Sequence, residues 1–399
     1  MDRKIRIGVF ADKGMGKWLV QSFEPLKDMA DITLFISDNN KHDPSSFNLP
    51  KHILTHKHET WLSVKHFRQF FKHWLYDNEK LTHVDFYPFS LAEHFLSDKY
   101  DIILTKSERS LYTLASLKDK FGFKLIYRYP CTLPFTHIFD KRSEFARRKS
   151  FEKADHFICI SETARNNLKY EGIVPSKIDV VHNSVDLSFF CPGQKDTGLL
   201  NKLKISRNEK VIMFVGKLTS WKNPFTLLYA SRILADSGLS VKLILAGQGA
   251  QKPMLRKTAE LLNLSKDTIF LDFIENTELN RYYRLADVFV MPSMTTITWE
   301  DQFPFAVVEA MASGLPVIVT NSGGMPELVG DAGRIYPQGN YRELAKNLYE
   351  ILANEQLRQS LAVYSRKRAE EMFDNRKNSL KIFEVFKRTN LTMKKILVS

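Results

Sequence analysis

The chain reads as an α/β protein built from two parallel-sheet domains, and three observations predict this. Its 399 residues exceed what one ordinary core organises and suit two domains. Short apolar runs rich in Val, Ile, Leu and Phe alternate with longer amphipathic stretches along the whole length, the pattern of strand–helix–strand units. That alternation stops once, at VHNSVDLSFFCPGQKDTG, where Pro192, Gly193 and Gly198 break the chain.

The first half predicts strands at Ile5–Phe10, Ile32–Ile36, Ile102–Thr105, Lys124–Tyr129, His156–Ile160 and Asp179–His182. The second predicts them at Val211–Val215, Val241–Ala246, Ile269–Phe273, Val288–Met291, Pro316–Val319 and Gly333–Tyr336. Helical stretches separate most of them, giving two Rossmann-like domains facing each other across a cleft. In open parallel sheets ligands bind beyond the carboxyl ends of the strands. The informative motifs all fall just after predicted strands.

Composition narrows the function classes. Hydrophobic content of 44% is ordinary for a globular protein. No apolar run approaches the roughly 20 residues of a spanning helix. The opening MDRKIRIGVFADKG reads as a strand with no cleavage site. Cys131, Cys159 and Cys191 are scattered without metal spacing, as in reduced proteins, so a cytoplasmic location is expected. The net charge of +13 attracts anions. Residues 101–150 carry 11 Lys and Arg against 5 Asp and Glu, and residues 201–250 carry 8 against 2. No compact nucleic-acid motif accompanies this charge, so no nucleic-acid partner is expected.

The most telling segment is TWEDQFPFAVVEAMASGLPVIVTNSGGMPELVG. Phe303-Pro304-Phe305 should open a helix, with Pro in the first turn, running through Ala306–Ser313 to a stop at Gly314. Its N-terminus offers N–H groups and a positive dipole end to a diphosphate. Glu309, more than a turn inside, suits the two hydroxyls of a ribose, and Asp301, in the preceding loop, suits sugar hydroxyls. In VGKLTSWKNPFTLL, Lys217 follows a strand end and Lys222 comes five residues later. Two such cations can stabilise a departing nucleoside diphosphate without a metal, and no Asp-x-Asp pair of a metal-dependent transferase is present. Gly247 and Gly249 in LAGQGAQKPMLRKTAELLNL make a tight turn after a strand. The loop ADKGMGKWLVQSF places Gly14 and Gly16 before a helix, as a candidate anion-facing loop that is neither a P-loop nor a dinucleotide fingerprint.

Together these strings closely resemble the donor site of the retaining glycosyltransferase family 4, which has the GT-B fold. The resemblance is specific across the second half and, in the first, rests on FICISETARNNLKYEGIVPSKIDVVHNSVDLSFF. It implies an N-terminal acceptor-side domain over 1–186, a nucleotide-sugar donor domain over 187–375, and a C-terminal segment 376–399 whose helix packs back on the first domain. It implies that Glu309 grips the ribose, Asp301 the donor sugar, and Lys217 and Lys222 the phosphates. It also implies that Ile274 backbone groups meet the base, and that Phe303, Pro304, Phe305, Gly247 and Gly16 border the donor.

Several positions depart from the family pattern. Asp301 stands where Glu is usual, with Glu300 beside it as an alternative. Lys217 replaces Arg, Asn223 replaces Gly and Ser184 replaces Gly. The family's His near the reacting carbon is absent after LIYRYP, and His137 comes several residues later, either as its substitute or as a loop residue, with Arg128 and Lys106, each at the end of a predicted strand, as alternative polar groups for the cleft. Glu327, in the S-G-G-M-P-E turn, caps its own helix or reaches the ligand.

The resemblance implies a retaining, metal-independent transfer by front-face displacement, with no cofactor beyond the nucleoside-diphosphate sugar as co-substrate. The acceptor expected is a glycan or lipid-linked glycan. The alternatives are a non-catalytic nucleotide-sugar-binding subunit and another GT-B enzyme such as a nucleotide-sugar epimerase. Trp61–Leu75, WLSVKHFRQFFKHWL, interleaves aromatic and basic residues, as helices lying on membrane surfaces do. A peripheral contact with the inner face of the cell membrane is one reading of that stretch, and core packing with a solvated basic face is the other.

Overall fold

The computed structural model describes residues 3–11, 15–37, 40, 43–54, 99–135 and 141–396. His137 and the whole of Trp61–Leu75 lie outside them, as does Gly14. Over the described residues the chain divides into two compact units. One takes Met1–Tyr129, His137–Ile158 and Phe383–Ser399; the other takes Pro130–Thr136 and Cys159–Ile382.

The first sheet contains β1 (Ile5–Ala11), β2 (Ala30–Ser37), β3 (Lys51–Leu54), β4 (Ile102–Thr105), β5 (Lys124–Tyr129), β6 (His156–Cys159) and β7 (Ile178–Val180). Its order is β3-β2-β1-β4-β5-β6-β7. Pairing is parallel wherever its register is defined: Phe10 lies against Phe35 on one side and Thr105 on the other, and Thr105 against Tyr127. Ile7, Val9, Ile102, Ile103, Leu104, Leu125 and Ile126 are all fully buried, as expected for strands covered on both faces. Tyr127, Tyr129, Phe151 and Phe157 interlock edge to face beside β5. Helix Glu108–Phe121 ends on Gly122, at φ +71, a left-handed cap that glycine adopts without strain.

The second sheet contains β8 (Lys210–Val215), β9 (Val241–Ala246), β10 (Thr268–Leu271), β11 (Val288–Met291), β12 (Val317–Thr320) and β13 (Arg334–Tyr336), in the order β10-β9-β8-β11-β12-β13. This is the Rossmann order, and its direction reverses between β8 and β11. The apolar runs VIMF, VFVM and VIV are buried throughout. Helix Phe305–Ala312 lies on the same core, with Val307, Val308, Ala310 and Met311 fully buried.

All twelve expected strands are present, and β3 is an addition. Most boundaries shift by one or two residues, and two of the shifts fall beside the candidate site. β10 ends at Leu271, leaving Phe273 66% exposed in the following loop. Pro304 takes the cap position, so the helix opens one residue later, at Phe305.

Candidate active site

The second sheet's reversal point is where β8 and β11 release the chain side by side, and Lys217, Lys222 and Asp301 lie on the segments that follow them. After β8, Gly216 and the exposed Lys217 lead to a single 3-10 turn, Ser220–Lys222, closed by Asn223. Asn223 has φ +46, a left-handed conformation that Asn tolerates far better than most side chains. That accounts for Asn where the family more often has Gly. After β11 the chain runs out to Asp301 and returns as helix Phe305–Ala312.

The two segments are knitted together. Met294 N–H donates to the Trp221 carbonyl at 2.7 Å, and the Trp221 and Trp299 rings lie 5.8 Å apart. Lys222 Nζ sits 5.5 Å from the Trp299 ring centroid. The same ammonium donates to both Asp301 oxygens, at 2.6 and 2.7 Å. Asp301 is 6% exposed, so each charge is held in place by the other. Of the two neighbouring acids, Asp301 therefore meets the lysine, while Glu300 accepts a long 3.5 Å hydrogen bond from Thr295. Lys217 has no side-chain partner among the described residues and stays solvated.

A glycine turn supports Asp301 from behind. Gly324 N–H donates to the Asp301 carbonyl at 2.9 Å. A Cβ on Gly323, at φ +55, would lie 2.2 Å from that carbonyl oxygen, and one on Gly324 2.3 Å from the Gln302 oxygen. The S-G-G-M-P-E turn is thus glycine-rich because backbone packs on backbone there.

Gly247 and Gly249 serve likewise. Their Cβ positions would fall 1.9 Å from the Gly216 oxygen and 2.2 Å from the Leu218 oxygen. Leu218 N–H donates to the Gln248 carbonyl at 2.9 Å, so this turn braces the Lys217 strand end. Gly16 caps a short helix, Lys17–Val20, its carbonyl accepting from Leu19 and Val20 N–H. Ile274 is half-buried against the second core.

Glu309 projects from a helix secured at both ends. Phe303 packs edge-on against Phe305 and Phe373 before it starts. Arg366 donates to the Ala312 carbonyl at 2.6 Å where it ends, a cation at the negative pole. Glu309 is 6% exposed, and its Oε2 accepts from the Tyr283 hydroxyl at 2.8 Å. Burial pushes the Glu309 carboxyl up to about 7, with the Tyr283 hydrogen bond opposing. Burial, then the Glu309 charge, raises the Tyr283 hydroxyl well above its ordinary value. Nothing in the sequence marks Tyr283 as a partner of Glu309 beyond the paired tyrosine of NRYYRLAD, five residues before β11.

Glu327 caps a different helix from its own. It accepts from Glu162 N–H at 2.7 Å and from Thr163 N–H at 3.2 Å, capping helix Glu162–Tyr170. His182 Nε2 lies 3.0 Å from the same carboxylate. Burial tends to raise Glu327, but His182 and the two backbone donors outweigh it and hold the carboxyl below its usual range.

A Rossmann-like domain with a lysine–carboxylate pair and a buried helix-borne glutamate at its reversal point defines a nucleotide-binding class of protein, and comparison with known proteins specifies it. The family model of the glycosyl transferases group 1 matches residues 197–368, and that of glycosyltransferase family 4 matches residues 43–189. The chain belongs to this family of GT-B glycosyltransferases. Spore coat protein SA of Bacillus subtilis (strain 168) is 28% identical over 212 residues, which is 50% of this chain and 55% of that protein. The D-inositol 3-phosphate glycosyltransferase of Mycobacterium sp. (strain KMS) is 34% identical over 182 residues, 45% of this chain and 40% of the relative. The matches thus span about half the length of these curated relatives. Anabaena HepE in complex with UDP superposes with a TM-score of 0.77 at 19% identity, covering 97% of this chain and 100% of that one.

Proposed function

We propose that the protein transfers a glycosyl unit from a nucleoside-diphosphate sugar to an acceptor hydroxyl, with retention of anomeric configuration and without a metal. The observation that carries this reading is the Lys222–Asp301 pair at the reversal point of the second sheet, one short loop from Glu309. In this reading Glu309 accepts the ribose hydroxyls and Lys222 and Lys217 offset the charge growing on the departing diphosphate. Asp301 orients both Lys222 and the sugar. The structural likeness to HepE, solved with UDP, favours a uridine nucleotide as the first donor to try. A glycan or lipid-linked glycan is the acceptor class, and the chain works at the cytoplasmic side. No described helix is long and apolar enough to cross a membrane.

The test is turnover of UDP- and GDP-sugars, with and without a metal chelator, and anomeric configuration read by NMR. Asp301→Asn and Lys222→Ala should each lower turnover by a factor of about 100 or more. Lys222→Ala leaves Asp301 buried without its cation, costing about 3–5 kcal/mol of stability, so the Asp301→Asn result is the decisive one. Donor binding with no hydrolysis or transfer would overturn the enzyme reading in favour of a binding subunit. Inversion, or loss of activity to the chelator, would overturn the corresponding mechanistic part.

A further inference from the structure

Gln338 stands two residues after β13, the edge strand of the second sheet, and its backbone is fixed from both sides. Asn340 N–H donates to the Pro337 carbonyl at 3.1 Å, closing a tight turn around Gln338. The same Asn340 caps helix Tyr341–Ala353, its side chain accepting from Glu343 N–H at 3.0 Å. Gln338 N–H in turn donates to the Asn321 side chain at 3.2 Å. A glutamine mounted in this way can hold other groups in register through its amide.

That amide joins two segments of the candidate site. Its Oε1 accepts from Thr295 N–H at 2.7 Å, and its Nε2 donates to the Thr295 hydroxyl and to the Asn321 carbonyl, each at 3.3 Å. Thr295 lies four residues after β11, on the stretch that leads to Asp301. Asn321 follows β12 directly and opens the glycine turn. Thr295 Oγ1 also lies 2.8 Å from the fully buried Ser322 Oγ. Further along, the turn holds the Asp301 carbonyl through Gly324 N–H at 2.9 Å. The stretch 295–301 is thus tied to the turn 321–324 at both ends. Between them it folds on itself, Thr296 N–H donating to the Trp299 carbonyl at 2.7 Å, so a displacement of Thr295 is passed along rather than absorbed. Gln338 hydrogen-bonds neither Lys222 nor Asp301, and its route to them runs through Thr295 and the turn.

We propose that Gln338 is a positioning residue for Asp301: its amide sets the entry of the 295–301 stretch against the glycine turn and so aims the Asp301 carboxylate at the sugar of a nucleotide sugar. The sugar rests on the donor reading above; the clasp between the two segments does not. Glu309, assigned to the nucleoside half, stands on its own helix outside the clasp. Breaking the clasp should therefore separate recognition of the sugar from recognition of the nucleotide, and catalytic geometry tolerates little error in such a carboxylate.

The test compares thermal midpoints in UDP-glucose, UDP-galactose, UDP-N-acetylglucosamine and GDP-mannose with those in UDP or GDP alone. The wild type should gain an increment from the sugar of at least one of them. Gln338→Met keeps the length of the side chain and removes its donors and acceptor. It should lose that increment and lower kcat about tenfold or more, while the shift given by the nucleoside diphosphate alone is unchanged. In an Asp301→Asn chain the same substitution should remove nothing further. Should Gln338→Met fail to fold, Gln338→Glu, which keeps the acceptor for Thr295 N–H and loses the two donations, decides by the same readouts. An increment or a kcat that stays at the wild-type value overturns the proposal, because a brace serving stability alone would lower only the bare midpoint. Loss of the nucleoside-diphosphate shift, a further loss in the Asp301→Asn chain, or no sugar increment in the wild type overturns it as well. An increment lost in the variant, alongside no turnover by any chain, leaves the clasp standing and removes the transferase reading.

Discussion

Replacing Glu309 by Gln separates what its carboxylate does for binding from what it costs the fold. The side chain is buried on its helix and accepts from Tyr283 at 2.8 Å. Burial lifts its pKa from 4.5 to about 7. The folded chain therefore keeps a proton in the window where the unfolded chain has lost it. This contribution is complete below pH 4.5, is lost as pH rises to about 7, and levels off above. The loss is on the order of 3 kcal/mol, at 1.36 kcal/mol per pH unit of difference. Gln has no proton to lose and still accepts from Tyr283. The stability of Glu309→Gln relative to wild type should thus grow by about 3 kcal/mol between about pH 4.5 and pH 8. At about 2–4 °C per kcal/mol for a domain of this size, the relative midpoint rises by roughly 6–12 °C. Thermal denaturation across that range, with buffers of low temperature dependence, reads it directly. The same variant should bind UDP about tenfold or more weakly, because ribose hydroxyls lose a charged acceptor. A relative stability that stays flat with pH would refute the argument that burial governs this carboxyl.

Two other perturbations test the scaffold. Gly323→Ala puts a Cβ against the Asp301 carbonyl at a left-handed position, costing about 1–2 kcal/mol in backbone strain alone. Donor turnover should fall as the Asp301 loop shifts, whereas unchanged kinetics would show that the turn does not hold the loop. Glu327→Gln weakens the cap on helix Glu162–Tyr170 and should cost about 1 kcal/mol at neutral pH in denaturant unfolding. Because the folded Glu327 carboxyl lies below its ordinary range, that difference is present above its unfolded pKa and should vanish as pH falls through the folded value.

The sheets were legible because strands buried on both faces are written as unbroken apolar runs, such as VIMFV and VFVM. β3 escaped for the complementary reason. It is an edge strand, KHIL, with Lys51 and Ile53 exposed and only Leu54 buried, so its run is short and mixed. The acids and lysines of the site were legible as motif positions, since loop and helix starts follow from Gly and Pro. Their partners were not. Tyr283 reaches Glu309 only once helix Asn276–Tyr283 is laid on the second core, and Glu327 meets a helix start 165 residues earlier in the chain. Spacing along a sequence carries no information about such through-space pairs. Asn223 shows an intermediate case: its departure from Gly becomes intelligible only from the sign of its φ.

The glycine turn behind Asp301 bears on redesign. Gly323 and Gly324 touch the backbone of Asp301 and Gln302 so closely that neither strand of that contact has room to move alone. A transplant of residues 294–302 from a relative with a different sugar preference would arrive on a platform shaped for another path. The natural unit of exchange is therefore both stretches together, 294–302 with 321–325, moved as a single cassette.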